Sequence, residues 1–434
     1  MRYFVLMFLC LIAVIAYVQR LGVQTANTAI ESDFQINTEQ FGTLGTALLV
    51  GYAILQLPAG WLADRIGSRN AMVIFAVTWS LITGAIGLCE RFETLLAMWF
   101  AMGLALAGVF PCAAKSIGAW FPDTEKATAC GLLGSFTMLG TAVASLLTTA
   151  LMTQIGWSWQ WIYVAYGSAG VIWALVYWIC IPERTGAQVI AAPLTMADWR
   201  RLFTSVPLWF LCGQQFFRAG AMIFFINWFP KFLKEARGFS EEDAGPYAAC
   251  VNAAALVGGI LGGFFSDWLF RRTGMRRLSR QGLAVIGMTT AAAMVILTYV
   301  VKDNMAAIAI FSAGAFIGTF GGVSGYTVAI EFGGTRVGLV FSMMNMCGNF
   351  GGAIVNQTVG SLKERTGSWD IAVVVIAGIF VVDAICWALL NPKAPLFPLG
   401  ESPGVRAATE PEETGIRAGE PSARRGDFED HETR

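Results

Sequence analysis

Gly60-Trp61-Leu62-Ala63-Asp64-Arg65-Ile66-Gly67-Ser68-Arg69 is a charged, glycine-bearing run wedged between two apolar stretches. Half a chain later a reduced copy appears as Gly263-Phe264-Phe265-Ser266-Asp267, followed by Arg271 and Arg272. The two aspartates are separated by close to half of the 434-residue length, the offset left by duplication of one unit. The repeat predicts two halves of one architecture.

Outward from that run, the sequence is too apolar for a soluble core. The chain is 56% hydrophobic and 13% charged, whereas soluble chains of this length split into domains because one core cannot bury so much apolar surface. Segments of about 20 residues with few charges, long enough to cross roughly 30 Å of hydrocarbon as helices, fall at 4–27, 41–63, 71–88, 95–119, 129–154 and 159–181. Six more follow at 207–233, 244–270, 283–301, 306–330, 337–362 and 371–390. The expected fold class is an all-α membrane protein: a six-helix bundle over 1–182, a central loop over 183–206, a second bundle over 207–391, and a tail over 392–434. The central loop carries Asp198-Trp199-Arg200-Arg201, a pattern suited to a short surface helix; the tail, rich in Pro, Gly, Glu and Arg, reads as disordered.

Lys and Arg resist translocation, so their distribution orients the chain. Arg65, Arg69, Lys126, Arg184, Arg200, Arg201, Arg271, Arg272, Arg276, Arg277, Arg280 and Arg336 occupy alternate loops of one face, while Glu31, Asp33, Glu90, Glu93, Glu241, Glu242 and Asp243 occupy the other, where Arg91, Lys234, Arg237, Lys302, Lys363 and Arg365 dilute the bias without reversing it. Both termini are expected in the cytoplasm, with the chain multi-pass in the cytoplasmic (inner) membrane. The first span follows Arg2 but ends without a small-residue cleavage site, so it reads as a retained helix, not a signal peptide. A net charge of +0 gives no hint of nucleic-acid binding. The cysteines stand singly in apolar helices as small buried hydrophobes. The chain shows no Ser/His/Asp set, metal-ligand cluster or phosphate-cradling loop. No enzyme activity, cofactor or metal is expected.

With the spans placed, the Gly60–Arg69 run falls in the loop between the second and third, where it resembles the signature loop of the major facilitator superfamily. The resemblance implies twelve transmembrane helices in two pseudo-symmetric six-helix bundles. Glycines let such a loop turn tightly and approach neighbouring helices, while Asp64 can accept from the positive end of a helix in the opposite bundle. A latch is expected from Gly60, Asp64, Arg65, Gly67 and Arg69, with Arg65 and Arg69 adding charge pairs, and from Gly263 and Asp267 in the other half; the plainer alternative is that these charges only fix topology. Within the superfamily the chain is similar to the anion:cation symporters, which include hexuronate, galactonate, glucarate, vesicular glutamate and sialic acid carriers. That similarity rests on Tyr17 with Arg20, Gly51-Tyr52 with Gln56 and Pro58, Gly108, Phe110-Pro111, Trp120-Phe121-Pro122, Trp228-Phe229-Pro230 with Phe232-Leu233, and Asn345 with Asn349.

Arg20 is the first candidate ligand residue, because a guanidinium fork matches a carboxylate in two parallel hydrogen bonds. Tyr17, Gln24 and Asn27 share its helix face. The residues alone leave open a charge that snorkels to the outer surface; the resemblance favours substrate. Arg218 lies mid-span, where a charge costs about 2.5–3.5 kcal/mol to insert; it shares a face with Gln214 and is read as cavity-lining, with an ion pair to Asp383 as the competing explanation. Tyr52 and Gln56, Thr137, Thr141 and Thr148, and Asn345, Asn349 and Asn356 offer neutral donors and acceptors for hydroxyl groups or, alternatively, polar glue between helices. Lys115 reads as a snorkelling charge.

Proton-coupled members of the resembled family carry an acidic residue before the first-span arginine, and an arginine and a glutamate seven residues apart in the fourth span. Here those positions hold Gln19, Trp99 and Leu106, and the sole histidine is His431 in the tail. Uptake is therefore expected to persist without a pH gradient; strict proton dependence would point to Asp383 or to another, unseen acid. The expected function is alternating-access transport of a small organic anion, a sugar acid or other carboxylate, by a monomer in the lipid bilayer, with a coupling ion left open. The alternatives are a transporter-like ligand sensor and a facilitator for a neutral or other polar solute without proton coupling.

Overall fold

The computed structural model of the protein describes residues 1–182 and 193–398. Among them there is no strand, and eleven helical stretches are long and apolar enough to cross a membrane. One of these, Asn304–Thr366, is 63 residues long; at 1.5 Å per residue it would extend about 95 Å, three times the hydrocarbon thickness. It turns back at Gly334, where φ is +60°, and makes two crossings, giving twelve in all. They are α1 (Arg2–Thr25), α2 (Thr38–Ile66), α3 (Ser68–Ile86), α4 (Phe92–Trp120), α5 (Lys126–Thr153), α6 (Trp159–Cys180), α7 (Val206–Arg237), α8 (Glu241–Thr273), α9 (Leu278–Val300), α10 (Asn304–Gly322 continued by Ser324–Gly333), α11 (Val337–Thr366) and α12 (Asp370–Leu389).

The helices start where the sequence supplies side-chain caps for otherwise unpaired N–H groups. Asn37 accepts from the Gln40 amide at 2.8 Å before α2, Ser240 from Asp243 at 3.1 Å before α8, and Asp303 from Ala306 at 2.7 Å before α10. Inside each half, helices meet through small residues and aromatic clusters; Phe224, Phe225, Phe229 and Phe232 of α7 pack with Phe311 of α10. Leu81, Ile179, Ile286 and Val300 are exposed on the outside, as a lipid-facing surface requires.

The two bundles touch along α2 against α11 and α5 against α8. This pairing puts α1, α7, α5 and α11 around the space between the halves. The short helix Met196–Thr204 begins at a Thr195–Asp198 capping box, and Asp198 also pairs with Arg336 at 2.9 Å. Residues 399–434 of the expected tail and 183–192 of the central loop lie outside the described residues. The described start of the tail differs from the expectation: Phe397 is buried, the Leu396 amide donates to the Phe332 carbonyl at 2.7 Å, and the Thr335 amide donates to that of Phe397 at 2.9 Å. Aromatic burial holds this stretch despite its low overall apolarity.

Candidate functional site

The repeated run lies at the α2–α3 turn, and its aspartate reaches the other bundle. Asp64 is buried and accepts from the backbone N–H groups of Gly338 and Leu339, both at 2.9 Å, in the first turn of α11. Those donors lack partners within their helix, so the carboxylate satisfies them and meets the positive end of the dipole. Asp267 reciprocates. It accepts from the Ala127 and Thr128 amides at 3.3 and 2.7 Å, in the first turn of α5, and from the Thr128 hydroxyl at 2.8 Å. Gly60 and Gly263 permit the approach: a Cβ at Gly60 would overlap Ser342 Oγ and the Gly338 carbonyl, and one at Gly263 the Ala127 carbonyl.

Arg65 and Arg69 do not supply the expected charge pairs. Among the described residues neither has a carboxylate within 4 Å: Arg65 is exposed over the Trp61 ring, and Arg69 donates to the Trp178 carbonyl and lies over that ring. The counter-ions are Lys115 and Arg280. Lys115 is buried, 3.2 Å from Asp64, and donates to the Ala63 carbonyl at 3.0 Å, so it does not snorkel. Arg280, 1% exposed, lies 2.9 Å from Asp267 and 3.3 Å from Glu331, and crosses the interface to donate to the Asp123 carbonyl at 2.8 Å. Asp123, in the loop before α5, pairs with Lys126 at 2.6 Å and with Arg276 of the other bundle. Burial pushes its carboxyl up, but Lys126, Arg276 and Arg280 outweigh that and hold it below the ordinary value. Lys115 and Arg280 were visible as single basic residues near helix ends; their partners were not, since the two aspartate–cation spacings differ.

Moving away from this end, the interbundle contacts continue to Tyr52, which accepts from the Asn345 amide at 2.8 Å, and to Ser135, which donates to the Leu256 carbonyl at 3.0 Å. Beyond that depth the walls part around a cavity of about 470 Å³, within the range of small-molecule sites. Arg20 of α1 and Arg218 of α7 both line it, one from each bundle. Among the described residues neither has a carboxylate within 4 Å. Arg218 donates to Gln215 Oε1 at 2.8 Å and lies 5.9 Å from the Tyr326 ring centre, while its Nε has no partner. It is not ion-paired with Asp383.

Tyr17, Gln24, Thr137, Thr141, Asn345, Asn349 and Asn356 also line the cavity. The Thr137 and Thr141 hydroxyls donate to carbonyls of their own helix, Gly134 at 2.6 Å and Thr137 at 3.2 Å, leaving only acceptor capacity for a ligand. Three candidates are set behind the wall. Tyr52 and Gln56 are buried against Asn345, Gln56 also donating to the Ala107 carbonyl at 3.3 Å, and Gln214 donates to the Leu211 carbonyl at 2.8 Å. Thr148 bonds Tyr166 at 2.8 Å inside the first bundle. Gln19 is spent on packing, donating to the Tyr166 carbonyl at 2.6 Å and accepting from Trp79 and Thr83. Trp99 lines the cavity, as do Asn227 and Tyr326, which sequence reasoning did not single out. Asn227 lies within a π-helical turn, Phe224–Trp228, that reorients α7 and has no simple periodic signature.

Residues 9–356 match the sequence profile of the Major Facilitator Superfamily. The chain is 26% identical to a probable sulfoacetate transporter of Cupriavidus necator over 90% of this chain and 94% of that one. It is 29% identical to a probable galactarate/D-glucarate transporter of Escherichia coli over 86% and 90% of the two chains. Among solved structures, the Escherichia coli fucose:proton symporter superposes with a TM-score of 0.71 at 16% identity, covering 89% of this chain and 98% of that one, a likeness of fold. Twelve crossings in two latched bundles around one central cavity, together with the matched profile, make the chain a multi-pass membrane transporter and not an enzyme: it belongs to the major facilitator superfamily.

Proposed function

We propose that the protein is a secondary transporter for a small organic anion, a sugar acid or related carboxylate, in the cytoplasmic (inner) membrane. One observation carries the reading: two guanidinium groups, one from each bundle, face a single cavity with no carboxylate partner among the described residues. A charge held at that depth needs compensation, and an anionic ligand supplies it in bidentate form. The relatives' named substrates, sulfoacetate and galactarate or D-glucarate, are of this class. Two positive charges favour a ligand with two acidic groups, and the amides of Asn345, Asn349 and Gln215 suit hydroxyl groups between them. With the latched end in the cytoplasm, as the basic loops indicate, the cavity of this conformation opens outward, and transport proceeds as the latches at Asp64 and Asp267 release and the bundles rock.

The test is uptake by purified protein in liposomes of D-glucarate, galactarate, D-galactonate and sulfoacetate. At least one is expected to accumulate in wild-type vesicles and to be lost with Arg20→Ala. Full transport by that variant, or binding of all four without flux, would overturn the reading, the second result in favour of a ligand sensor.

A further inference from the structure

Apart from the latches and the cavity wall, the described residues hold one buried carboxylate without a partner. Asp383, in the middle of α12, is 0% exposed, and neither oxygen has a hydrogen bond. An isolated carboxylate in such surroundings is held as the neutral acid, because nothing replaces the water an anion would lose.

The elements packed around it bring one charge to bear. At the depth where Gly213 of α7 meets Cys386 of α12, α7 carries Cys212 and Arg218, its other charged residues, Lys231, Lys234, Glu235 and Arg237, lying in its last turns. Within α9, Leu283 to Val300 contains no charged residue, and Arg280 before it is committed to Asp267 and Glu331. In α11 the charged residues, Lys363, Glu364 and Arg365, sit in the last turns, leaving Cys347 against Cys212. On α10, Tyr326 lies beside Arg218 and Glu331 beside Arg280; on α12 itself Cys386 is one turn away. Of the charged side chains on these elements near Asp383, Arg280 is committed to carboxylates while Arg218 is not, and Arg218 and Asp383 are not paired with each other.

We infer that Asp383 is the proton-carrying group of the transport cycle, and that it alternates with the transported anion as counter-ion of Arg218. The inference rests on the anion-carrier reading. Here Gln215 and Tyr326 hold Arg218 toward the cavity, and Asp383 keeps its proton. When the bundles rock and the anion departs, the freed guanidinium turns to Asp383; its O–H proton passes to cavity water, and the carboxylate pairs with Arg218. On return, an incoming anion reclaims Arg218 and Asp383 takes a proton back from water. One proton thus moves with each anion, and the carboxylates missing at the positions of Gln19 and Leu106 are replaced from the other bundle.

Two measurements test this. The first needs no ligand: infrared spectra of wild-type protein at neutral pH should contain a protonated-carboxyl C=O band that Asp383→Asn lacks, and identical spectra would sink the inference whatever the substrate proves to be. The second uses D-glucarate in vesicles clamped at zero membrane potential. One inward pH unit should drive up to about tenfold accumulation by wild type for one proton per anion. Asp383→Asn should lose accumulation while retaining exchange of internal for external D-glucarate, and Asp383→Glu should restore part of it. Accumulation indifferent to the gradient, or equal in wild type and Asp383→Asn, would overturn the proton role. No binding of any tested anion by wild type would overturn the anion-carrier reading instead, leaving the infrared result to judge Asp383.

Discussion

A guanidinium that faces a cavity without a carboxylate keeps its fork of donors for a ligand, and this makes Arg20 the residue whose loss is easiest to read. Hydrogen bonds to charged groups contribute about 1.5–3 kcal/mol each, so Arg20→Ala should weaken D-glucarate binding roughly 10- to 150-fold. Because no protein partner is orphaned, thermal stability without ligand should hold. Arg20→Lys keeps the charge but not the fork and should fall between them; titration calorimetry resolves the three, and equal affinities would remove Arg20 from the binding site. Asp123 differs, since its value lies in closing the far end. Its carboxyl sits below the ordinary value near 3.9, so its contribution is complete above that pH and disappears as pH falls through the lower, folded-state value. Amide protection over residues 121–128, exchange taken relative to the intrinsic rate at each pH, should hold down to about pH 4 and fall below it, whereas Asp123→Asn should show the lower protection at pH 6. Matching profiles for the two proteins would mean the Arg276 contact contributes nothing to closure.

At the level of helices, each latch joins a helix start in one bundle to an aspartate–cation pair in the other. Removing one member of a buried pair costs about 3–5 kcal/mol, while replacing both by apolar groups is close to neutral. Asp64→Asn leaves Lys115 buried without a counter-ion and should lower the melting temperature in detergent; Asp64→Asn with Lys115→Met should recover much of the loss. Equal melting points for the single and double variants would show that the two residues are not coupled. The sequence made the latch aspartates readable because the run repeats with its glycines, and it made the twelve crossings readable because hydropathy is local to each segment. It did not reveal the cation partners. Lys115 reaches Asp64 across 51 positions and Arg280 reaches Asp267 across 13, and nothing in one helix's periodicity announces a contact on another. The same reason placed Tyr52, Gln56 and Gln214 on the wall when they lie behind it: each is on a polar helix face, but interhelical packing decides whether that face meets the cavity or Asn345.

For the molecule as a whole, affinity should depend on how often the latched arrangement is populated, even where no ligand-facing atom changes. A ligand that binds one arrangement has an apparent affinity reduced by the fraction of molecules in it. Gly60 lies at the α2–α11 contact, outside the cavity, and a Cβ there would overlap Ser342 and Gly338 of the other bundle. Overpacking of this kind costs about 1–3 kcal/mol, all of it borne by the latched arrangement and none once the bundles separate at that end. Gly60→Ala should therefore weaken D-glucarate binding by roughly 5- to 150-fold and should expose Cys130, on the cavity wall beside the latch, to thiol reagents applied from the latched side. Gly134→Ala is the contrast. Its Cβ would meet nothing within 4 Å although Gly134 lines the cavity, so it should change affinity by less than about threefold and leave Cys130 labelling as in wild type. If Gly60→Ala binds as tightly as wild type with Cys130 still protected, the glycine contact does not govern the balance between the two arrangements.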